Sequence, residues 1–140
     1  MFTFETKIRV RYAETDQMGF VYYGNYSTYY EVARVEALRS LGLTYKKLEE
    51  TGILMPVIEN KSKYIRPARY DDLLTVRLQI PALSKKKIAF EYEIYNEAGK
   101  LIHTGVTRLT YVDAKTGRTC DAPDILMDLF KTYYNSDSQD

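Results

Sequence analysis

The feature that most limits how this chain can fold is a change of hydrophobic period, from about 3.6 residues within 25–41 to 2 residues beyond position 53. Tyr26, Tyr29, Tyr30, Ala33, Ala37 and Leu41 recur at spacings of three and four, which puts them on one face of a helix. The opposite face would carry Glu31, Arg34, Glu36 and Arg39 into solvent. Asn25 is the expected N-cap, and Gly42 stands where a left-handed C-terminal residue belongs. A shorter helix is expected to begin at Thr44 and stop at Gly52.

The period of two defines the strands. In the stretch Thr3 to Tyr12, Ile8, Val10 and Tyr12 fall on one side and Lys7, Arg9 and Arg11 on the other. Ile53 to Tyr64 reads as one strand with an edge or bulge near Pro56. Leu74, Val76, Leu78 and Ile80 alternate with polar residues until Pro81, and Ile88, Phe90, Tyr92 and Ile94 do so until the turn Asn96 to Gly99. That turn leads into a strand from Leu101 to Val112. Residues 122–134 could form a terminal helix, and 135–140 should fray. With no internal repeat or low-complexity linker, residues 1–140 are expected to be one α+β domain, a single antiparallel sheet covering one long helix.

Composition narrows the chemistry. A net charge of +1 and a pI near 7.7 give no bulk attraction to nucleic acid or to an anionic membrane. No run of about 18 apolar residues and no leader-like N-terminus is present, so neither export nor membrane insertion is expected. A lone Cys120 cannot form an internal disulfide, and no Cys/His group has metal-ligand spacing, which fits a cytoplasmic protein without a metal. His103 is the single histidine. Hydrolytic chemistry would therefore fall to carboxylates, backbone amides and water, and His103, in a strand, reads as a packing or surface residue.

Between Ala13 and Gly24 neither period holds, and Gly19 and Gly24 bracket a short aromatic run, so the segment is a loop of specified shape. By spacing alone, Asp16 in this loop serves equally well in a structural role, as a cap or the acceptor of an Asx turn, and as a catalytic carboxylate. The stretch RYAETDQMGFVYYGNYSTYYEVAR, residues 11–34, resembles the signature of the 4-hydroxybenzoyl-CoA thioesterase-like family of hotdog proteins, bacterial short-chain acyl-CoA thioesterases among them. YIRPARYDDLLTV at 64–76 and KIAFEYEIYNEAGKLIHTGVTRLTYVD at 87–113 extend the resemblance over most of the chain.

The resemblance implies a hotdog fold, an antiparallel sheet wrapped around one long central helix. It also implies hydrolysis of an acyl-CoA to free acid and CoA, with coenzyme A as part of the substrate and no separate cofactor. The family's catalytic aspartate falls on Asp16, and the amide that polarises the thioester carbonyl falls on Tyr23. An oxyanion held at a helix N-terminus meets unsatisfied N–H groups and the positive end of a dipole, and Asp16 would act as nucleophile or as general base on water. Substrate contacts are expected from Gly24, Asn25, Tyr26 and Glu59, and CoA phosphate contacts from Arg66, Lys86 and Arg108, with Lys85, Lys87, Arg69 and Arg118 as further basic candidates. Glu14 is close enough in sequence to pair with Asp16. Relatives of this kind pair into homodimers or dimers of dimers, which would also remove an unpaired sheet edge. Other activities compatible with the fold are acyl-carrier-protein thioesterase and a non-catalytic acyl-CoA binding module. The first would need a broad basic surface, and the second would dispense with Asp16.

Overall fold

The chain begins with strand β1 (Phe2–Arg9), followed by a single 3-10 turn at Tyr12–Glu14 and the long helix α1 (Asn25–Ser40). Residues 1–134 are the ones described by this computed structural model, and the expected frayed tail at 135–140 lies outside them. Helix α2 (Tyr45–Glu50) leads into a short strand β2 (Ile53–Leu54) and then β3 (Val57–Tyr64). The strands β4 (Leu73–Ile80), β5 (Lys87–Tyr95) and β6 (Leu101–Thr110) follow, then a short β7 (Val112–Asp113) and helix α3 (Asp124–Tyr134). The five long strands form one antiparallel sheet in the order β1-β4-β5-β6-β3, so β1 and β3 are its edges.

Alternation along the strands explains how α1 is held. Leu74, Val76, Leu78 and Ile80 of β4 and Ile88, Phe90, Tyr92 and Ile94 of β5 are buried, while their neighbours in sequence are partly or fully exposed. Tyr26, Tyr29, Tyr30, Ala33 and Ala37 of α1 are buried with them in one core. At one point the packing needs a missing side chain. Gly105 pairs with Tyr92 on one side and Ser62 on the other, and a Cβ there would run into the Tyr30 ring and hydroxyl. Tyr30 stacks on Tyr92 with centroids 4.1 Å apart and planes 3° from parallel, and its hydroxyl meets Ser62 Oγ at 2.7 Å.

Several local expectations are corrected. β1 stops at Arg9 because Glu14 folds back on the Arg11 amide and closes the 3-10 turn, which leaves Tyr12 exposed outside the sheet. The expected strand 53–64 divides at Pro56, which has no N–H to give; its carbonyl accepts from the Thr110 amide, and β2 pairs with β7 as a separate ribbon. Helix α1 is capped by Gly24 rather than Asn25, which is its first helical residue. Arg34 is not on a solvated face: it is 8% exposed, and its NH1 donates to the Tyr92 hydroxyl at 3.0 Å. Gly42 and Gly52 take positive φ after α1 and α2, and Thr44 caps α2 through its side chain, as expected. Among the described residues no helix is long and apolar enough to cross a membrane, and no group of three or more His, Cys, Asp or Glu converges as metal ligands.

Candidate active site

The loop before α1 is shaped by hydrogen bonds that its sequence supplies. Asp16 Oδ1 accepts from the amides of Met18 (2.9 Å) and Phe20 (3.2 Å), while the Asp16 amide donates to the Phe20 carbonyl and the Gly19 amide to the Asp16 carbonyl. Gly19 has φ +80, a conformation most side chains avoid, which lets the chain reverse at this point. Phe20 pairs with Arg69 and the Val21 amide donates to the Ala68 carbonyl, so the loop is sewn onto the segment between β3 and β4.

Glu14 anchors the loop from below and does not pair with Asp16. Its carboxylate, nearly buried, accepts from the Arg11 amide (2.9 Å), the Arg11 guanidinium (3.0 Å) and the Tyr29 hydroxyl (3.0 Å). Burial raises the carboxyl pKa, but the amide, guanidinium and hydroxyl donors outweigh it and hold it below its ordinary value. The Glu14 carbonyl accepts from the Tyr22 amide and from Asn25 Nδ2 at 2.8 Å. The Asn25 side chain therefore fixes the loop to the helix start.

Asp16, Tyr23, Tyr26 and Arg66 come together on one cavity of about 340 Å³, whose remaining wall is Met18, Phe20, Val21, Tyr64, Ile65 and Pro67. Among the described residues, no hydrogen bond or ion pair engages Asp16 Oδ2, and the Tyr23 and Gly24 amides donate to no protein acceptor. Gly24 has φ −66, so its value is spatial: a Cβ would lie 3.1 Å from Cε2 of the Tyr22 ring. The arrangement offers two free N–H donors at a helix start and a free carboxylate oxygen at the edge of a largely apolar recess. A carbonyl oxygen seated on those amides would be polarised.

The cavity floor is aromatic. Tyr26 stacks on His103 at 4.0 Å with planes 3° apart, and Tyr64 meets both rings edge-on, at 5.5 Å from Tyr26 and 4.9 Å from His103. Burial pushes the Tyr26 hydroxyl up to about 12 and holds the fully buried His103 down to about 4, so His103 is neutral, and its Nε2 is hydrogen-bonded with the Tyr30 hydroxyl. The remaining basic candidates lie elsewhere. Glu59 and Arg108 face each other across β3 and β6 as an ion pair that Lys61 joins, and Lys86 is paired with Asp121. Arg66 and Arg69 are in no ion pair among the described residues, and Arg69 lies over the Phe20 ring at 4.9 Å from its centroid. Sequence reasoning missed Phe20, Tyr64 and Ile65 as cavity wall, because β3 and the loop meet only through the fold.

A five-stranded antiparallel sheet laid over one long helix, with the site at that helix's start, is the hotdog fold of thioesterases. The chain belongs to the thioesterase-like superfamily, whose family profile matches residues 10–130. It is 41% identical over 95 residues to YneP of Bacillus subtilis, provisionally named an acyl-CoA thioesterase, covering 68% of this chain and 69% of that one. It is 30% identical over 110 residues to the acyl-CoA thioester hydrolase YbgC of Escherichia coli O6:H1, covering 79% and 82%. Among solved structures, the DHNA-CoA thioesterase of Staphylococcus aureus superposes with a TM-score of 0.84 at 34% identity, over 99% of this chain and 91% of that one.

Proposed function

We propose that this protein hydrolyses acyl-CoA thioesters to the free acid and CoA, with Asp16 as the catalytic carboxylate and the Tyr23 and Gly24 amides as the oxyanion site. The observation that carries the reading is that Asp16, with one carboxylate oxygen free of protein partners, and Tyr23, with a free amide at the helix start, line one cavity, and that the free Gly24 amide follows Tyr23 in the chain. The acyl group enters the recess formed by Phe20, Tyr26, Tyr64 and Ile65, and its carbonyl oxygen sits on the amides. Asp16 Oδ2 then either attacks the carbonyl carbon, expelling CoA thiolate to leave an anhydride that water cleaves, or takes a proton from the water that attacks. In both routes one water is consumed and one acid and one thiol are released. The reaction needs no separate cofactor.

Arg66 and Arg69, unpaired at the cavity and beside it, are the proposed contacts for CoA phosphates. Lys86 and Arg108, already engaged with carboxylates, would serve only by giving up those partners. We also propose a homodimer formed through β3, a sheet edge on which Val57, Ile58 and Tyr64 are exposed. Glu59 would then face the paired subunit.

The test is release of CoA thiol from a panel of short-chain and aromatic acyl-CoAs by the native protein and by Asp16→Asn. Turnover by the native protein that Asp16→Asn lacks is expected. Equal turnover by both would remove Asp16 from the mechanism, and saturable acyl-CoA binding without turnover would make the protein a binding module. A single turnover in 18O-labelled water identifies direct attack by label found on Asp16, where water has opened the anhydride at the Asp16 carbonyl and left an Asp16 oxygen in the acid, whereas general-base catalysis puts the solvent oxygen in the acid and none on Asp16.

A further inference from the structure

Arg34 lies under helix α1 with no acidic partner. A guanidinium 8% exposed is ordinarily matched by a carboxylate, because leaving the charge unpaired in a poorly solvated place is costly. Here NH1 donates to two neutral oxygens, Tyr92 Oη at 3.0 Å and Thr107 Oγ1 at 3.4 Å, and Nε donates to nothing among the described residues. A second buried polar atom nearby is also unmatched. The Tyr45 hydroxyl lies in the field of the guanidinium, yet makes no hydrogen bond of normal geometry.

Arg34 and Tyr45 line a single cavity of about 520 Å³ between α1 and α2, which shares no lining residue with the Asp16 cavity. Its other walls include Val35, Leu43, Met55 and Leu109. Glu31 and Glu49 also border it, but neither forms an ion pair with the guanidinium, and the basic residues Arg39 and Lys46 stand beside them. A cation on the cavity wall without an acidic partner, beside the apolar side chains of Val35, Leu43, Met55 and Leu109, suits an anion that carries an apolar body. A fully hydrated inorganic anion would find too few donors.

We propose that this cavity is a second binding site, distinct from the Asp16 site, for a small organic carboxylic acid whose carboxylate sits on the Arg34 guanidinium. Such an acid has the chemistry of the product in the proposed reaction, but the site is defined by binding and does not depend on turnover.

The test is isothermal titration of the whole protein with hexanoate and with benzoate, using 1-hexanol and sulfate as controls. Saturable binding of a carboxylate is expected for the native protein and for Asp16→Asn. Arg34→Met should weaken it at least tenfold, with no binding of hexanol. Should Arg34→Met fail to fold, Met55→Trp fills the cavity from its partly exposed wall and should abolish binding without touching the guanidinium. The proposal is overturned if no carboxylate binds, or if sulfate binds as well, meaning an adventitious ion only. It is equally overturned if binding survives Arg34→Met or Met55→Trp but is lost in Asp16→Asn. An Arg34→Met variant that alters self-association alone would mean that a second copy of the chain fills the cavity, and would also overturn it.

Discussion

Asp16 reads from sequence as either an Asx-turn acceptor or a catalyst, and its geometry joins the two. Oδ1 is committed to the Met18 and Phe20 amides, which fixes the plane of the carboxylate and leaves Oδ2 turned to chemistry. Asparagine keeps the accepting oxygen and loses the negative charge. Asp16→Asn should therefore hold its melting temperature near that of the native protein while kcat falls by roughly 10²–10⁴-fold. Asp16→Ala should lose the turn as well, at a stability cost of about 1 kcal/mol. Thermal melts beside thiol-release kinetics separate the two effects, and an Asn variant that melts early would mean that turn closure needs the charge. Gly105 poses a residue-scale question of the opposite kind, since its substitution touches only packing. The Tyr30 ring occupies the space of a Cβ there, so Gly105→Ala should destabilise by about 1–3 kcal/mol in denaturant titrations. A neutral result would mean that Tyr30 shifts freely.

At the scale of elements, hydrophobic period located α1 and the three-strand meander β4-β5-β6 closely, because each carries a sustained apolar pattern with a breaker or turn at its end, while α2 was located by its flanking residues Thr44 and Gly52. It failed where polar side chains share the apolar stripe. Tyr26, Tyr30 and Arg34 are spaced four apart, so Arg34 belongs to the buried row, but its charge alone suggested solvent. The long apolar stem carries the guanidinium under the helix to the Tyr92 and Thr107 hydroxyls, which no local pattern specifies. His103 was legible only as a strand residue. Its burial follows from lying on the face of β6 shared with Gly105 and Thr107, and its stack on Tyr26 from tertiary packing. The motif marked Asp16 and Tyr23, whereas Tyr64 and Ile65 reach the same cavity from β3 and from the bend after it, some forty residues further along the chain. β3 also carries the prediction for assembly. Ile58, half exposed at a bulge on this edge, is a position where a lysine should block strand pairing without disturbing the core. Ile58→Lys should shift sedimentation velocity from dimer towards monomer, and an unshifted dimer would move the interface off β3.

Across the whole molecule, acid sensitivity follows from two buried groups whose effects act in sequence. His103 has its pKa lowered from 6.5 to about 4 by burial. Above pH 6.5 it is neutral whether folded or unfolded and contributes nothing to pH dependence. As pH falls from 6.5 towards 4, the unfolded chain gains a proton that the folded chain refuses, so stability declines by an amount on the order of 3 kcal/mol. Glu14 has a folded pKa below its unfolded 4.5, so its stabilising contribution is present above 4.5 and is lost as pH falls through the folded value. The first loss should be visible well before carboxylates titrate. Urea denaturation of the native protein should give a lower unfolding free energy at pH 5 than at pH 7. His103→Phe, which keeps a ring against Tyr26 but gives up the Tyr30 hydrogen bond and cannot take a proton, should lower stability at pH 7 and flatten that interval while leaving the steeper fall below pH 4.5. If the variant retains the native slope between pH 7 and 5, some other group is taking up the proton, and His103 is not the source of the acid sensitivity.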